Sequence, residues 1–327
     1  MTPLFGHDAA VAAFRESLDA GRLHHAWLIS GPEGVGKALF ADKAALRVLA
    51  EGQGRVDAPG IDVPDDHPAA KLVAAGSHPD LMRLERLPRE NGAGELARSI
   101  TVDQVRGLSR LFATTASMSP WRVVVIDAID DLERPAANAL LKNLEEPPPN
   151  SVFFLVSHAS ERLLPTIRSR CRPLRLATLD DDAMTSALRA ALPDADPKEI
   201  EALKAAGEGS PGRALQFRGL DIAGLDRAMA ELVRDGDPTN GRRAALAQSL
   251  APRSAQPRYE AFLARVPGVI ARQAKGRRGA ALAEALAAWE RAQRLASGAS
   301  RLSLEPESTV FELAGLLASL AESRRAA

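Results

Sequence analysis

Apolar residues follow two rhythms in the first half of this chain. Short, predominantly apolar runs occur at Ala26–Ile29, Leu81–Leu84, Trp121–Asp127 and Ser151–Ser157. They have the length and the β-branched or aromatic content of buried strands. Leu174–Leu176 supplies a further edge strand. Between these runs the apolar residues recur at helical spacing. Asp8–Ala20 carries a stripe of Ala9, Val11, Ala12, Phe14 and Leu18, closed by Gly21. Ala38–Ala50, Ala69–Ala75, a segment from Ile100 to about Thr114, and Ala136–Glu146 predict further helices. Thr101 or Asp103 would cap the third of these, and Asp130 and Asp131 would start the last. Ser119-Pro120 and Pro147-Pro148-Pro149 break what precedes them. Glu51–Pro68 is rich in Gly, Pro and Asp and reads as loop, and Leu87–Arg98 as a polar insertion. Strands alternating with helices predict a parallel α/β layer over residues 1–176.

After Leu176 the strand rhythm stops. Leu179–Leu203 reads as helices joined by Asp/Ala-rich turns, and Gly209-Ser210-Pro211-Gly212-Arg213-Ala214 opens another helix, giving a small helical segment over 177–219. From 220 to 327 the pattern is entirely helical, with Ala/Leu-rich segments at 225–235, 241–250, 257–272, 279–297 and 307–323. Such helices bury their apolar faces against one another. No internal repeat is visible.

Composition narrows the function classes. The 327 residues carry 42 basic and 42 acidic side chains, so no global field draws the chain to nucleic acid or membrane. The basic cluster Arg272–Arg278 is the local exception: it could meet phosphates, but it reads better as a solvated loop. Cys171 is the single cysteine, which excludes a disulfide framework and a thiolate metal cluster. No apolar stretch has the length of a membrane span. The N-terminus lacks the pattern of a signal peptide, so a cytoplasmic location with no membrane partner is expected. Aromatics make up 4%, which argues against stacking on single-stranded bases.

The chemistry concentrates between the first strand and the helix after it. Gly31-Pro32-Glu33-Gly34-Val35-Gly36-Lys37 matches the phosphate-binding pattern Gly-x4-Gly-Lys. Its glycines would let backbone N–H groups approach phosphate oxygens, and Lys37 would reach the terminal phosphates. The next letter should be Ser or Thr, whose hydroxyl holds magnesium, and here it is Ala38. A strand–helix turn that binds nothing is the alternative. Asp127 ends the third strand, where open α/β sheets bind ligands and where a P-loop ATPase positions its magnesium. The residue that would ready the attacking water in such an enzyme is Ala128. Asp127 could otherwise be a strand-end turn residue. His24 and His25 read as packing or capping groups, and His78, before Pro79, as a turn residue rather than a ligand.

Three stretches together carry a resemblance: V-V-V-I-D at 123–127, A-A-N-A-L-L-K-N-L-E-E-P-P at 136–148, and T-I-R-S-R-C at 166–171. They resemble the bacterial clamp-loader family within the AAA+ ATPases, closely over about the first 180 residues and loosely beyond. The resemblance implies an AAA+ P-loop domain (1–176), a helical lid (177–219) and an all-α collar that assembles the complex (220–327). It implies that Arg170, in Ser169-Arg170-Cys171, acts in trans on a neighbour's ATP, the alternative being a helix-end arginine in a local salt bridge. It places Gly31, Gly34, Gly36, Lys37, Asp127 and Arg213 around a degenerate nucleotide site. Arg213 would be the second sensor arginine, or else a first-turn surface charge. The family contains a non-hydrolysing member, and Ala38 with Ala128 agrees with it. The implied partners are the motor subunits gamma/tau and the delta subunit of DNA polymerase III, the sliding clamp, and primed DNA through the complex. ATP would be bound by those partners, with no cofactor of this chain's own. Many relatives insert a four-cysteine zinc module where this chain has Glu51–Gly76, which holds no cysteine, so no zinc is expected. A P-loop ATPase active in replication or repair is the alternative function.

Overall fold

The computed structural model describes residues 2–89, 96–113, 115–302 and 304–325. Five parallel strands form one sheet: β1 (Ala26–Ser30), β2 (Leu81–Glu85), β3 (Arg122–Asp127), β4 (Ser151–Ser157) and β5 (Arg172–Arg175), in the order β2-β3-β4-β1-β5. β3, β4 and β1 are flanked on both sides, and their cores are buried throughout. The edge strand β5 lies two residues earlier than the apolar run Leu174–Leu176 suggests. The parallel bonds to β1 hold Arg172 and Pro173 at the edge, where proline's missing N–H is harmless.

Side chains alternate across the sheet, so the inner strands β3, β4 and β1 feed two cores. Leu28, Val124, Ile126, Phe153 and Leu155 face one side with Val105, Leu140, Leu144 and Ile167. These come from α4 (Val102–Arg106), α6 (Arg134–Glu145) and α7 (Pro165–Arg168). On the other face Phe14 of α1 (Asp8–Asp19) meets Trp27, Phe154 and Phe40 of α2 (Lys37–Gln53), with centroids 5.3 to 6.2 Å apart. Helices on both faces of a parallel sheet are the expected α/β architecture.

Two details depart from the sequence reading, and one settles an alternative it left open. The helix expected from Ile100 breaks at Gly107 into α4 and α5 (Leu108–Ala113), and its expected end at Thr114 lies outside the described residues, as do positions 90–95 of the insertion. Thr101 rather than Asp103 is its cap, in a capping box with Gln104. Asp130 and Asp131 do not start α6. They lie in a one-turn 3-10 helix over Ile129–Asp131, and α6 begins at Arg134 because Pro135 presets its first turn.

The loop expected over 51–68 is held by two buried cations of α2, Lys43, which pairs with Asp62 Oδ1 at 2.5 Å, and above all Arg47. Arg47 donates to the carbonyls of Val56 (3.1 Å), Ala58 (3.0 Å) and Asp62 (2.6 Å), and to Glu51 Oε1 (2.7 Å). Val56 and Val63 pack with Leu46 and with Ala69 and Ala70 of α3 (Pro68–Ala74).

By contact density the chain forms two compact units. The first contains the sheet and continues through α8 (Asp181–Ala191), with 207–213. The second comprises 197–206 and 214–327. Its helices are α9 (Pro197–Gly207, to 206), the end of α10 (Pro211–Leu215), α11 (Ile222–Asp235), α12 (Gly241–Leu250), α13 (Gln256–Ala274), α14 (Gly279–Arg301) and α15 (Pro306–Arg325). α11 and α12 pack on α15, and α13 on α14. Arg265, nearly buried, grips both oxygens of Asp226 and donates to Ala206 O, which ties α13 to α11 and α9. The basic cluster at 272–278 is only partly a solvated loop. Arg272 lies within α13, and Arg277 donates to Leu320 O at 2.6 Å.

No helix among the described residues is long and apolar enough to cross a membrane.

Candidate functional site

The glycine loop leaves β1 at Ser30 and enters α2 at Lys37. Gly31 and Gly34 both have positive φ, +149° and +74°. A Cβ on Gly31 would lie 2.2 Å from Leu176 O, and one on Gly34 2.6 Å from the backbone nitrogen of Arg213. Gly34 O also accepts the Gly212 N–H at 2.8 Å. The loop is therefore fastened by its backbone to the start of α10, where a side chain could not fit. Gly36 is the left-handed residue before α2, and His7 Nε2 lies 2.9 Å from Val35 O.

Lys37 is buried, and its ammonium turns back on its own loop, donating to Gly31 O (2.8 Å) and Pro32 O (2.7 Å). Burial pulls its pKa below the usual lysine value, against the opposing pull of Glu33, Asp130 and Asp127. Ala38 follows with no oxygen to offer a metal.

Asp127 stands at the carboxyl end of β3, as expected, but it is already paired. Arg83 of β2 donates through Nη2 to Asp127 Oδ2 at 2.7 Å. The same guanidinium reaches Glu85 Oε2 at 2.8 Å and Asp42 of α2. Burial pushes the Asp42 carboxyl above its ordinary value, Arg83 opposes this, and Asp127 and Glu85 add to it. Arg83 itself is driven upward: burial works against its charge, and the three carboxylates overcome it. Ala128 is buried and carries no acid. Asp130 serves the backbone instead, accepting from Ser157 Oγ (3.0 Å) and from the N–H groups of His158 (2.7 Å) and Ala159 (3.2 Å).

Arg170 follows α7 on the short connection to β5. Its Nη1 donates to Thr166 O at 2.8 Å, and its Nη2 pairs with Glu145 Oε1 at 2.8 Å. The side chain keeps 33% of its surface exposed. Beside it lies an open cleft of about 470 Å³, bounded by Leu28, Ser30, Pro165, Arg168, Ser169 and Pro173. Arg213 pairs with Glu208 at 3.0 Å, and its backbone rather than its guanidinium meets the glycine loop.

The structure thus brings Gly31, Gly34, Gly36, Lys37 and Asp127 to one end of the sheet. Arg170 lies on another connection. The histidines cap and pack: His24 Nδ1 meets the Ala26 N–H at 3.2 Å, His78 Nδ1 meets the Asp80 N–H at 3.2 Å, and the His24 and His25 rings stack at 4.4 Å. Among the described residues no group of three or more His, Cys, Asp and Glu side chains could hold a metal ion. Sequence reasoning missed Arg83, Asp42 and Glu145. The one visible signal was a charge, Arg83, inside an otherwise apolar strand run.

A family model described as DNA polymerase III, delta subunit, matches residues 6–180. The subunit delta' of DNA polymerase III from Pseudomonas aeruginosa is 37% identical over 198 residues, 61% of this chain and 57% of that protein. The subunit delta' from Escherichia coli is 34% identical over 226 residues, 68% of this chain and 64% of that protein. The subunit tau from Escherichia coli is 30% identical over 228 residues, 68% of this chain and 33% of that protein. The chain spans less than two thirds of the length of each of these curated relatives.

Proposed function

Because this chain belongs to the family of DNA polymerase III delta-prime subunits, we propose that it is a clamp-loader subunit that hydrolyses no ATP itself and lends Arg170 to a neighbour's ATP. The observation that carries the reading is the state of its own site. Ala38 and Ala128 replace the metal-binding hydroxyl and the second acid, and Asp127 is tied to Arg83. The residues here do not fit a magnesium nucleotide. A self-sufficient ATPase would need all three groups.

Arg170 offers what such a site requires from outside. Phosphoryl transfer spreads negative charge over the γ-phosphate oxygens, and a guanidinium presents paired donors and keeps its charge. An arginine supplied in this way is worth about 10³ to 10⁵ in rate in GTPase systems. Glu145 is a surface partner and costs little to exchange for phosphate. The partners of this reading are the gamma/tau motor subunits, the delta subunit, the sliding clamp and primed DNA, in the cytoplasm. We assign 1–176 to the P-loop domain, 177–219 to the lid, with Arg213 as its sensor, and 220–327 to the collar.

The test is Arg170→Ala in a reconstituted loader. The variant assembles, while clamp- and DNA-stimulated ATP hydrolysis and clamp loading fall. Arg170→Lys restores them only in part, because an ammonium lacks the fork. Wild-type stimulated hydrolysis in the Arg170→Ala complex would sink the trans role.

A further inference from the structure

The acid at the end of β3 has a neighbour that no phosphate-binding pattern calls for. In the parallel register of β2 and β3, Glu85 lies opposite Asp127 and Arg83 opposite Val125. Residues two apart on a strand share a face. Arg83, Glu85 and Asp127 therefore all face the side covered by α2, from which Asp42 reaches down. Two carboxylates side by side on adjacent strands repel, and a third makes matters worse. The strand pair needs a cation there.

We propose that Arg83 is that cation: its guanidinium takes the place of a divalent ion beside Asp127, a third obstacle to metal besides Ala38 and Ala128. This rests on reading the glycine loop and Asp127 as a degenerate nucleotide site. The guanidinium has a hydrogen bond to each of three carboxylates, through Nη1, Nη2 and Nε. Its positive charge repels a second cation from the same oxygens, and its plane holds the carboxylates apart. It is covalently part of every copy of the chain, whereas a metal ion must compete for the site from solution. Restoring Ser or Thr at position 38 and Glu at position 128 would leave Asp127 still engaged.

The test uses Mn²⁺ alone as probe, followed by loss of the free aqua-ion signal in electron paramagnetic resonance of the full chain. Arg83→Gln takes up about one Mn²⁺ at least about tenfold more tightly than wild type, the order expected from removing one charge beside a divalent ion. Arg83→Gln with Asp127→Asn returns to the wild-type level, and Arg83→Lys, which keeps the charge, stays there. Arg83→Met is the second variant should the glutamine disturb the fold, with far-ultraviolet circular dichroism as the check on both. If neither neutral variant binds Mn²⁺ more tightly than wild type, or if the gain survives Asp127→Asn, the assignment is overturned. Failure here is separable from failure of the functional reading. Turnover of Mg-ATP by the wild-type chain contradicts that reading, whereas silent Arg83 variants of a chain that turns nothing over contradict only this inference.

Discussion

Arg170 Nη2 lies 2.8 Å from Glu145 Oε1, so the last turn of α6 and the connection after α7 share one ion pair. Glu145 is 48% exposed and Arg170 33%, which makes this a solvent-screened bridge. Arg170 has a second hold on Thr166 O, within its own turn. Glu145→Ala therefore costs less than about 1 kcal/mol in urea unfolding, and less at high salt. A loss above about 2 kcal/mol would mean that the pair is structural and that Arg170 is not free to exchange its partner.

Arg47 is the opposite case. Its side chain is 3% exposed, and three loop carbonyls and Glu51 depend on it. Arg47→Ala leaves those acceptors unpaired and Glu51 with only Arg15, at a cost of about 3 kcal/mol or more. Limited proteolysis of the variant should cut first within residues 54–67. An uncut loop at protease concentrations that spare the wild type would show that the Lys43–Asp62 pair, Val56 and Val63 hold it without Arg47.

Asp80 gives a pH signature. It is buried, and its carboxylate accepts the N–H groups of Ser117, Met118 and Ser119 at 2.7, 2.8 and 3.0 Å. Burial pushes its pKa up, but the three bonds win and hold it below the ordinary aspartate value. A carboxyl with a depressed folded pKa contributes its stability above the unfolded value, about 3.9, and loses it as pH falls through the folded one. Asp80→Asn should cost about 1–3 kcal/mol at neutral pH. The gap to wild type stays constant down to about pH 4 and narrows below it. A gap that instead widened on acidification would contradict the carboxylate's role.

Cys171 should be unreactive in the folded chain. It is buried, its Sγ donates to Ile167 O at 3.1 Å, and burial pushes its pKa up to about 12. At pH 8 almost none of it is thiolate, the form that alkylating agents attack. Iodoacetamide should label it only after denaturant is added, as intact mass spectrometry would record. Fast labelling of the native chain would place the thiol on an accessible surface.

The strands were legible because β3 and β4 are buried on both faces and are written as continuous apolar runs. Helices with a clear stop, such as α6 before Pro147, were legible for a similar reason. The glycine loop could be placed from its spacing alone. What the sequence hid depends on distances between separate elements. Arg83 looks like an ordinary charge in a strand until β2 and β3 are in register and α2 brings Asp42 over them. Arg47 sits on a buried helix face where its charge looks misplaced, and its partners are carbonyls, which leave no mark in a sequence. Gly107 gave no warning that it would split the helix after Thr101.

The loop over 54–67 is organised by a cation that is synthesised with the polypeptide. It needs no loading step and no supply of trace element. A guanidinium is not removed by chelators and, unlike thiolates, is not taken from its task by peroxide or disulfide exchange. Assembly of this region is therefore complete once α2 and the loop meet, and it is indifferent to the metal and redox state of the surroundings.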